Sequence, residues 1–119
     1  MAATPDEFFA DHPVGMEVFR RVQAALGEYG NVEVRVSKSQ VAFRRKRGFA
    51  YLWLPGQYLK GPRAEIVLSI VLGREDGSAR WKEVAHPSAK HWMHHLEVDE
   101  PDEIEREVVA WLREAAARA

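Results

Sequence analysis

The 119-residue chain contains no cysteine. Disulfide bridges, thiolate metal ligands and cysteine redox chemistry are therefore excluded. No apolar run approaches the roughly 20 residues that a membrane-spanning helix needs. The opening MAATPDEFF lacks a basic segment leading into an apolar one. No secretory signal is visible, and a cytoplasmic location is expected. The more overt catalytic signatures are missing too: there is no HExxH, phosphate-binding loop, G-x-S-x-G elbow or Rossmann glycine pattern. Repeats, linkers and low-complexity stretches are likewise absent.

What is present suits one globular domain spanning residues 1–119, large enough to bury a real core. Hydrophobic residues make up 46% and charged residues 29% of the chain, a folded rather than disordered composition. The formal net charge of −1 hides a partition. Residues 1–34 hold two Arg against six acids, residues 35–95 twelve Lys/Arg against four acids, and residues 96–119 three Arg against eight acids. The segments thus carry −4, +8 and −5. Two readings stand: the middle segment is an anion-attracting surface, or acidic helices neutralise a basic sheet through weak surface pairs.

Thr4-Pro5-Asp6-Glu7 has the form of a helix start, with Thr4 as cap, Pro5 at the first helical position and Glu7 completing a capping box. Asp11-His12-Pro13 interrupts that helix. A second is predicted from about Val14 to Glu28, with Val14, Val18, Val22, Leu26 and Tyr29 on one stripe beside Phe19. Gly30 and Asn31 end it. The period then changes to two, through Val32–Val36, Gln40–Lys46 and Phe49–Leu54. Pro55-Gly56 and Gly61-Pro62 bracket a loop. Ala64–Leu72, AEIVLSIVL, is apolar on both faces and suits a central strand. Arg80–Ala85 and His91–Val98 complete six strands. A last helix starts at Asp99 or Glu100, with Ile104, Val108, Trp111, Leu112 and Ala115 as its stripe. The expected class is α+β: a mostly antiparallel sheet of about six strands, with N- and C-terminal helices on one face.

Asp76-Gly77 is a strong hairpin signal. A two-residue loop there would place Leu72 opposite Trp81, Ile70 opposite Glu83 and Leu68 opposite Ala85 on the core face. Arg80, Lys82, Ser69 and His86 would then share the open face. Glu83 is the misfit, since this register turns it inward. The hairpin near Gly48 leaves two registers open. An Arg47-Gly48 turn sets Arg44 opposite Tyr51 and joins them with Trp53 on the open face, a surface suited to a flat ligand. A three-residue loop pairs Phe43 with Tyr51 and buries the aromatics; one residue of slip reverses the outcome. Arg44-Arg45-Lys46-Arg47 suits either a solvated hairpin tip or a nucleic-acid contact. Lys38, between Ser37 and Ser39, has the groups to coordinate a phosphate or carboxylate.

HWMHHLEV, residues 91–98, concentrates three histidines. On a strand, Trp92, His94, Leu96 and Val98 share the apolar face, which makes His94 a core histidine. His91, Met93, His95 and Glu97 face the other way. His91 and His95 would lie about 13 Å apart, too far to share one ion. No metal or cofactor is expected.

Four stretches carry a resemblance: VEVRVSKSQVAFRRKRGFAYLWLP, RWKEVAHPS, WMHHLEV and VVAWLREA. Over nearly the whole chain they resemble a bacterial family, domain of unknown function 5655. The resemblance implies a small stand-alone bacterial α+β domain. It brings no established activity and hence no catalytic residues. The family's motif positions fall on Lys38, Phe43, Arg80, Lys82, His94 and His95.

Three functions follow as expectations. The first is a binding module taking an anionic small molecule or a nucleic acid on the open sheet face through Lys38, Arg44, Arg80, Lys82 and His95. The second is a metal-independent enzyme with His95 as general base, His94 being the other catalytic candidate, and Lys38 or Arg80 stabilising negative charge. The third is a homodimer pairing through a sheet edge or face.

Overall fold

The computed structural model describes residues 4–57 and 64–119. Gly61-Pro62, expected to close a loop, lie outside the described residues. The chain runs through α1 (Pro5–Phe8), α2 (Pro13–Ala25), β1 (Glu33–Val36), β2 (Val41–Arg44), β3 (Gly48–Trp53), β4 (Ile66–Leu72), β5 (Glu83–Ser88), β6 (His91–Val98) and α3 (Arg106–Arg118). All strand pairs are antiparallel, in the order β1-β2-β3-β4-β6-β5. The fold is α+β, as the residue periods imply.

Local chemistry sets the helix ends. Thr4 accepts from the Glu7 amide while Glu7 reaches back to the Thr4 amide, the reciprocal pair that the sequence predicts. Val18, Phe19, Val22 and Leu26 of the second stripe are buried, as are Ile104, Val108, Trp111, Leu112 and Ala115 of the last. They pack on Val41, Phe43, Leu52, Ile66, Leu68, Ile70, Leu72, Leu96 and Val98, one face of the sheet, in a single core. All of β4 is buried and it has a strand on either side, which suits its apolar run. Among the described residues no helix is long and apolar enough to cross a membrane.

The Asp76-Gly77 hairpin does not form. β4 pairs instead with β6, setting Leu72 opposite Trp92, Ile70 opposite His94 and Leu68 opposite Leu96. β5 lies outside β6 at the sheet edge. The eight residues of β6 alternate cleanly between faces and match β4 along its length. β5 contains Pro87, which cannot donate to a ladder and suits an edge. Residues 73–82 therefore form a crossover. The Asp76 carboxylate accepts from the Trp81 indole (2.9 Å) and the Ser78 amide (3.1 Å), with Arg74 at 3.0 Å. Trp81 reaches the core by this route and meets Trp111 of α3 at 4.1 Å between ring centroids.

Glu83 does not point inward. It lies opposite His95, on the face away from the helices. His86 leaves that face and stacks on Trp92 with centroids 3.5 Å apart. At the β2–β3 hairpin neither expected register holds. Arg44 pairs with Gly48 and Phe43 with Ala50, with a bulge at Phe49. The bulge lets Phe49 and Ala50 both enter the core, so Tyr51 and Trp53 stay on the open face. Tyr51 lies opposite Ala42, not Arg44.

Candidate functional site

The registers align one row across all six strands: Arg35, Ala42, Tyr51, Ser69, His95 and Glu83. Trp53, Val67 and Glu97 form the row on one side, Val71, Met93 and Ala85 the row on the other. This is the face opposite the helices, and its centre is aromatic and apolar. A cavity of about 320 Å³ opens there, lined by Gln40, Tyr51, Trp53, Ser69, Met93 and His95. A second, of about 210 Å³, adjoins it through Tyr51 and Met93 and is lined also by Arg47, Gly48, Val71, Pro87 and His91. Gly48 leaves room for the Tyr51 ring: a Cβ there would lie 2.1 Å from the Tyr51 hydroxyl oxygen, so the tyrosine would have to shift.

The polar centre is Ser69, only 2% exposed. Its Oγ sits 3.0 Å from Trp53 Nε1 and 2.6 Å from His95 Nδ1. An indole N–H can only donate, so Ser69 accepts from Trp53. Burial pushes the His95 imidazole below its ordinary value and nearby His94 adds to this, against the opposing pull of Glu83. In the tautomer with its proton on Nε2, the neutral ring accepts at Nδ1 from the Ser69 hydroxyl. The Nε2–H of that tautomer has no hydrogen-bond partner among the described residues.

The sign of the shift fixes a pH dependence. Folding holds His95 neutral against an unfolded value near 6.5. Its contribution to stability is complete above pH about 6.5 and is lost as pH falls through the lower folded value. Asp76 behaves likewise further down. Burial alone would raise its carboxyl, but hydrogen bonds from Trp81, Ser78 and Arg74 outweigh that and hold it below the ordinary 3.8. Denaturant titrations from pH 7.5 to 4.5 should show midpoints falling below pH 6.5, with a shallower fall in His95→Asn. An identical slope in that variant would exclude His95 as the source.

Arg80, expected on the open face, is elsewhere. Its guanidinium contacts Glu105 (2.5 Å) and Glu107 (2.9 Å) and lies over Trp111 at the start of α3. Those two carboxylates raise its pKa. Arg74 is similarly engaged by Asp76 and Glu114. Part of the basic segment is therefore neutralised by the acidic end of the chain. Lys38, Arg44 and Lys82 make no ion pair among the described residues. Lys38 is exposed in the β1–β2 turn, Arg44 is half-buried at the end of β2, and Lys82 is exposed just before β5. His94 is 0% exposed; its Nε2 accepts from the Asp76 amide at 2.9 Å and its Nδ1 lies 3.0 Å from the Trp92 carbonyl. It is a core residue with both nitrogens occupied, facing away from His95. Among the described residues no group of three or more His, Asp or Glu could hold a metal ion.

The sequence model of the family described as Domain of unknown function (DUF5655) matches residues 6–116. The chain belongs to the DUF5655 family. No curated protein and no solved structure matches it. The features that define this DUF5655 member's open face are the Trp53–Ser69–His95 chain and Glu83 beside it. The pairing of Ser69 with His95 escapes a reading of residue patterns, because it depends on β6 lying next to β4. One signal was available: Ser69 is the single polar side chain in IVLSIVL. A polar group in the middle of an otherwise apolar strand needs a partner.

Proposed function

We propose that this DUF5655 domain is a ligand-binding module whose site is the sheet face opposite the helices. Its ligand is a flat molecule bearing a phosphate or carboxylate, either a metabolite or an exposed nucleotide of a nucleic acid. The observation that carries this is the hydrogen-bonded chain Trp53–Ser69–His95 in the wall of an aromatic cavity. Tyr51, Trp53 and Met93 supply apolar contact for a ring. The Nε2–H of His95 supplies a directional donor. Lys38 and Arg44, free of ion pairs among the described residues, supply positive charge at the β1–β2 side of the sheet, while Lys82, likewise unpaired there, offsets Glu83 and Glu97 at the β6–β5 side. Few convergent polar groups in a mostly apolar hollow is the usual composition of a small-ligand site.

Calorimetric titration with nucleotides, short single-stranded nucleic acids and acidic metabolites tests this. At least one class should bind, with affinity reduced about tenfold in Ser69→Ala or His95→Ala, the loss of one charge-assisted or buried hydrogen bond. Lys82→Glu should weaken the same interaction. If Lys82→Glu left every interaction unchanged, the anionic part of the reading would fail.

A second reading rests on the 2.6 Å contact between Ser69 Oγ and His95 Nδ1. A neutral histidine accepting a serine proton, with Glu83 opposite, is an arrangement for an activated nucleophile. Two features count against it. Ser69 Oγ also accepts from the Trp53 indole, and β4, paired on both sides, offers no free pair of backbone N–H groups for an oxyanion. A fluorophosphonate adduct on Ser69 would favour this second reading; its absence favours binding alone.

A further inference from the structure

The basic turn Arg44-Arg45-Lys46-Arg47 has a partner that its sequence does not announce. The Lys46 amide donates to the Ala119 carbonyl at 3.2 Å, Arg45 donates to Ala116 O at 2.8 Å, and Arg47 to Arg118 O at 2.9 Å. The turn thus covers the carbonyl-rich end of α3, where cations are favoured. That accounts for two guanidinium groups and one backbone amide. It leaves the Lys46 side chain unexplained, and it leaves a cavity of about 700 Å³ lined by Asn31, Arg45, Lys46, Arg47, Arg118 and the flanking alanines.

We propose that this cavity is a binding site for an oligophosphate group. Four cationic residues line it, and none of them pairs with a carboxylate among the described residues. Arg45, Arg47 and Arg118 each spend one guanidinium donor on a backbone carbonyl, out of five, Arg118 on that of Lys90, and Arg45 also lies over the Tyr29 ring. A carbonyl orients a guanidinium without neutralising it, so the charge remains and its geometry is fixed in advance. Arginine's planar fork then suits phosphate oxygens, and lysine adds a point charge. The negative end of the α3 dipole would oppose an anion here. Its carbonyls at residues 116 and 118 are already bonded to the turn, and the oxygen of Ala119 just beyond it accepts from the Lys46 amide. The size of the cavity and the number of cations favour several linked phosphates over one. The site is separate from the Ser69–His95 centre and does not depend on it. Arg47 alone belongs to both this cavity and the smaller open-face one.

Lys46→Ala is the informative variant, because among the described residues the side chain has no partner whose loss would destabilise the fold. The full chain, labelled with nitrogen-15, is titrated with tripolyphosphate at low ionic strength, with Arg21→Ala of α2 as a control for loss of one charge. The expected result is saturable movement of the amides of residues 31, 45–47 and 117–119. Affinity should fall about three- to tenfold in Lys46→Ala, from loss of one exposed charge contact, with unchanged Tm. Arg21→Ala should bind as the wild type does. A parallel titration with a nucleoside triphosphate separates the two sources of the group. A nucleotide tail gives tighter binding and added shifts at residues 51 and 93; a free oligophosphate gives equal affinities and none there. No saturation at residues 45–47, or wild-type affinity in Lys46→Ala, overturns the proposal. Saturation there with no ligand ever shifting residues 69 and 95 would leave this site standing and sink the open-face reading.

Discussion

Replacing His94 by alanine is expected to lower the stability of this domain by about 3–5 kcal/mol, the range for truncating a large buried side chain and orphaning a buried donor. His94 is fully buried, its ring lies 4.8 Å from that of Trp81, and its Nε2 holds the Asp76 amide. Alanine leaves a cavity, an unpaired N–H and an unsupported Trp81 together. Since small domains are stable by only about 5–15 kcal/mol, such a loss approaches the whole margin. His94→Phe separates the causes. It keeps an aromatic ring in place and removes the Nε2 acceptor together with the Nδ1 bond to the Trp92 carbonyl, so its cost should be about 1–3 kcal/mol. Urea unfolding of both variants checks this. Equal losses in the two would mean that packing contributes nothing beyond the hydrogen bond.

Trp111→Ala should have a comparable effect, about 3–5 kcal/mol. Trp111 is 5% exposed, packs on Trp81, and is covered on another side by the Arg80 guanidinium. Its removal deprives the 73–82 crossover of its apolar anchor on α3. The remaining anchors are the pairs Arg74–Glu114, Arg80–Glu105 and Arg80–Glu107, all partly exposed and individually weak. His94 and Trp111 both act through Trp81, so the double variant should lose less than the sum of the single ones. Trp111→Phe should recover most of the stability. Additive losses would show that the crossover does not link α3 to β6 in the way these contacts imply.

The same crossover marks the limit of what the residue order conveys. The Thr4–Glu7 capping box, the stripes of α2 and α3, the doubly buried β4 and the alternation in β6 are all local, and each is visible as spacing. The order of strands is not local. A period of two tells which face a side chain takes but not which strand lies beside it. Asp76-Gly77 signals a tight turn strongly, yet the Asp76 carboxylate is drawn to the Trp81 indole and the longer, better-matched β6 takes the place beside β4. Pro87 was the legible warning that β5 belongs at an edge. With β5 at the edge, Arg80 lies against α3 and Glu83 comes opposite His95, neither of which the residue period conveys. The charge partition was legible, but whether it was a surface or an internal balance was not. Arg80 and Arg74 prove balanced by α3, while Lys38, Arg44 and Lys82 stand outside that balance among the described residues. His94 and His95 separate correctly from alternation alone. Ser69 and His95 meet across strands 26 residues apart in sequence, and only the topology brings them together.

The central claim is that the sheet face opposite the helices, centred on Ser69 and His95, receives the ligand. Amide and imidazole chemical shifts, followed while adding whichever compound binds most tightly by calorimetry, test it most directly. The account predicts saturable movement at residues 51, 53, 69, 93 and 95, a perturbed His95 side-chain resonance, and an unmoved His94. A binding ligand that shifts other residues and leaves Ser69 and His95 untouched would contradict it.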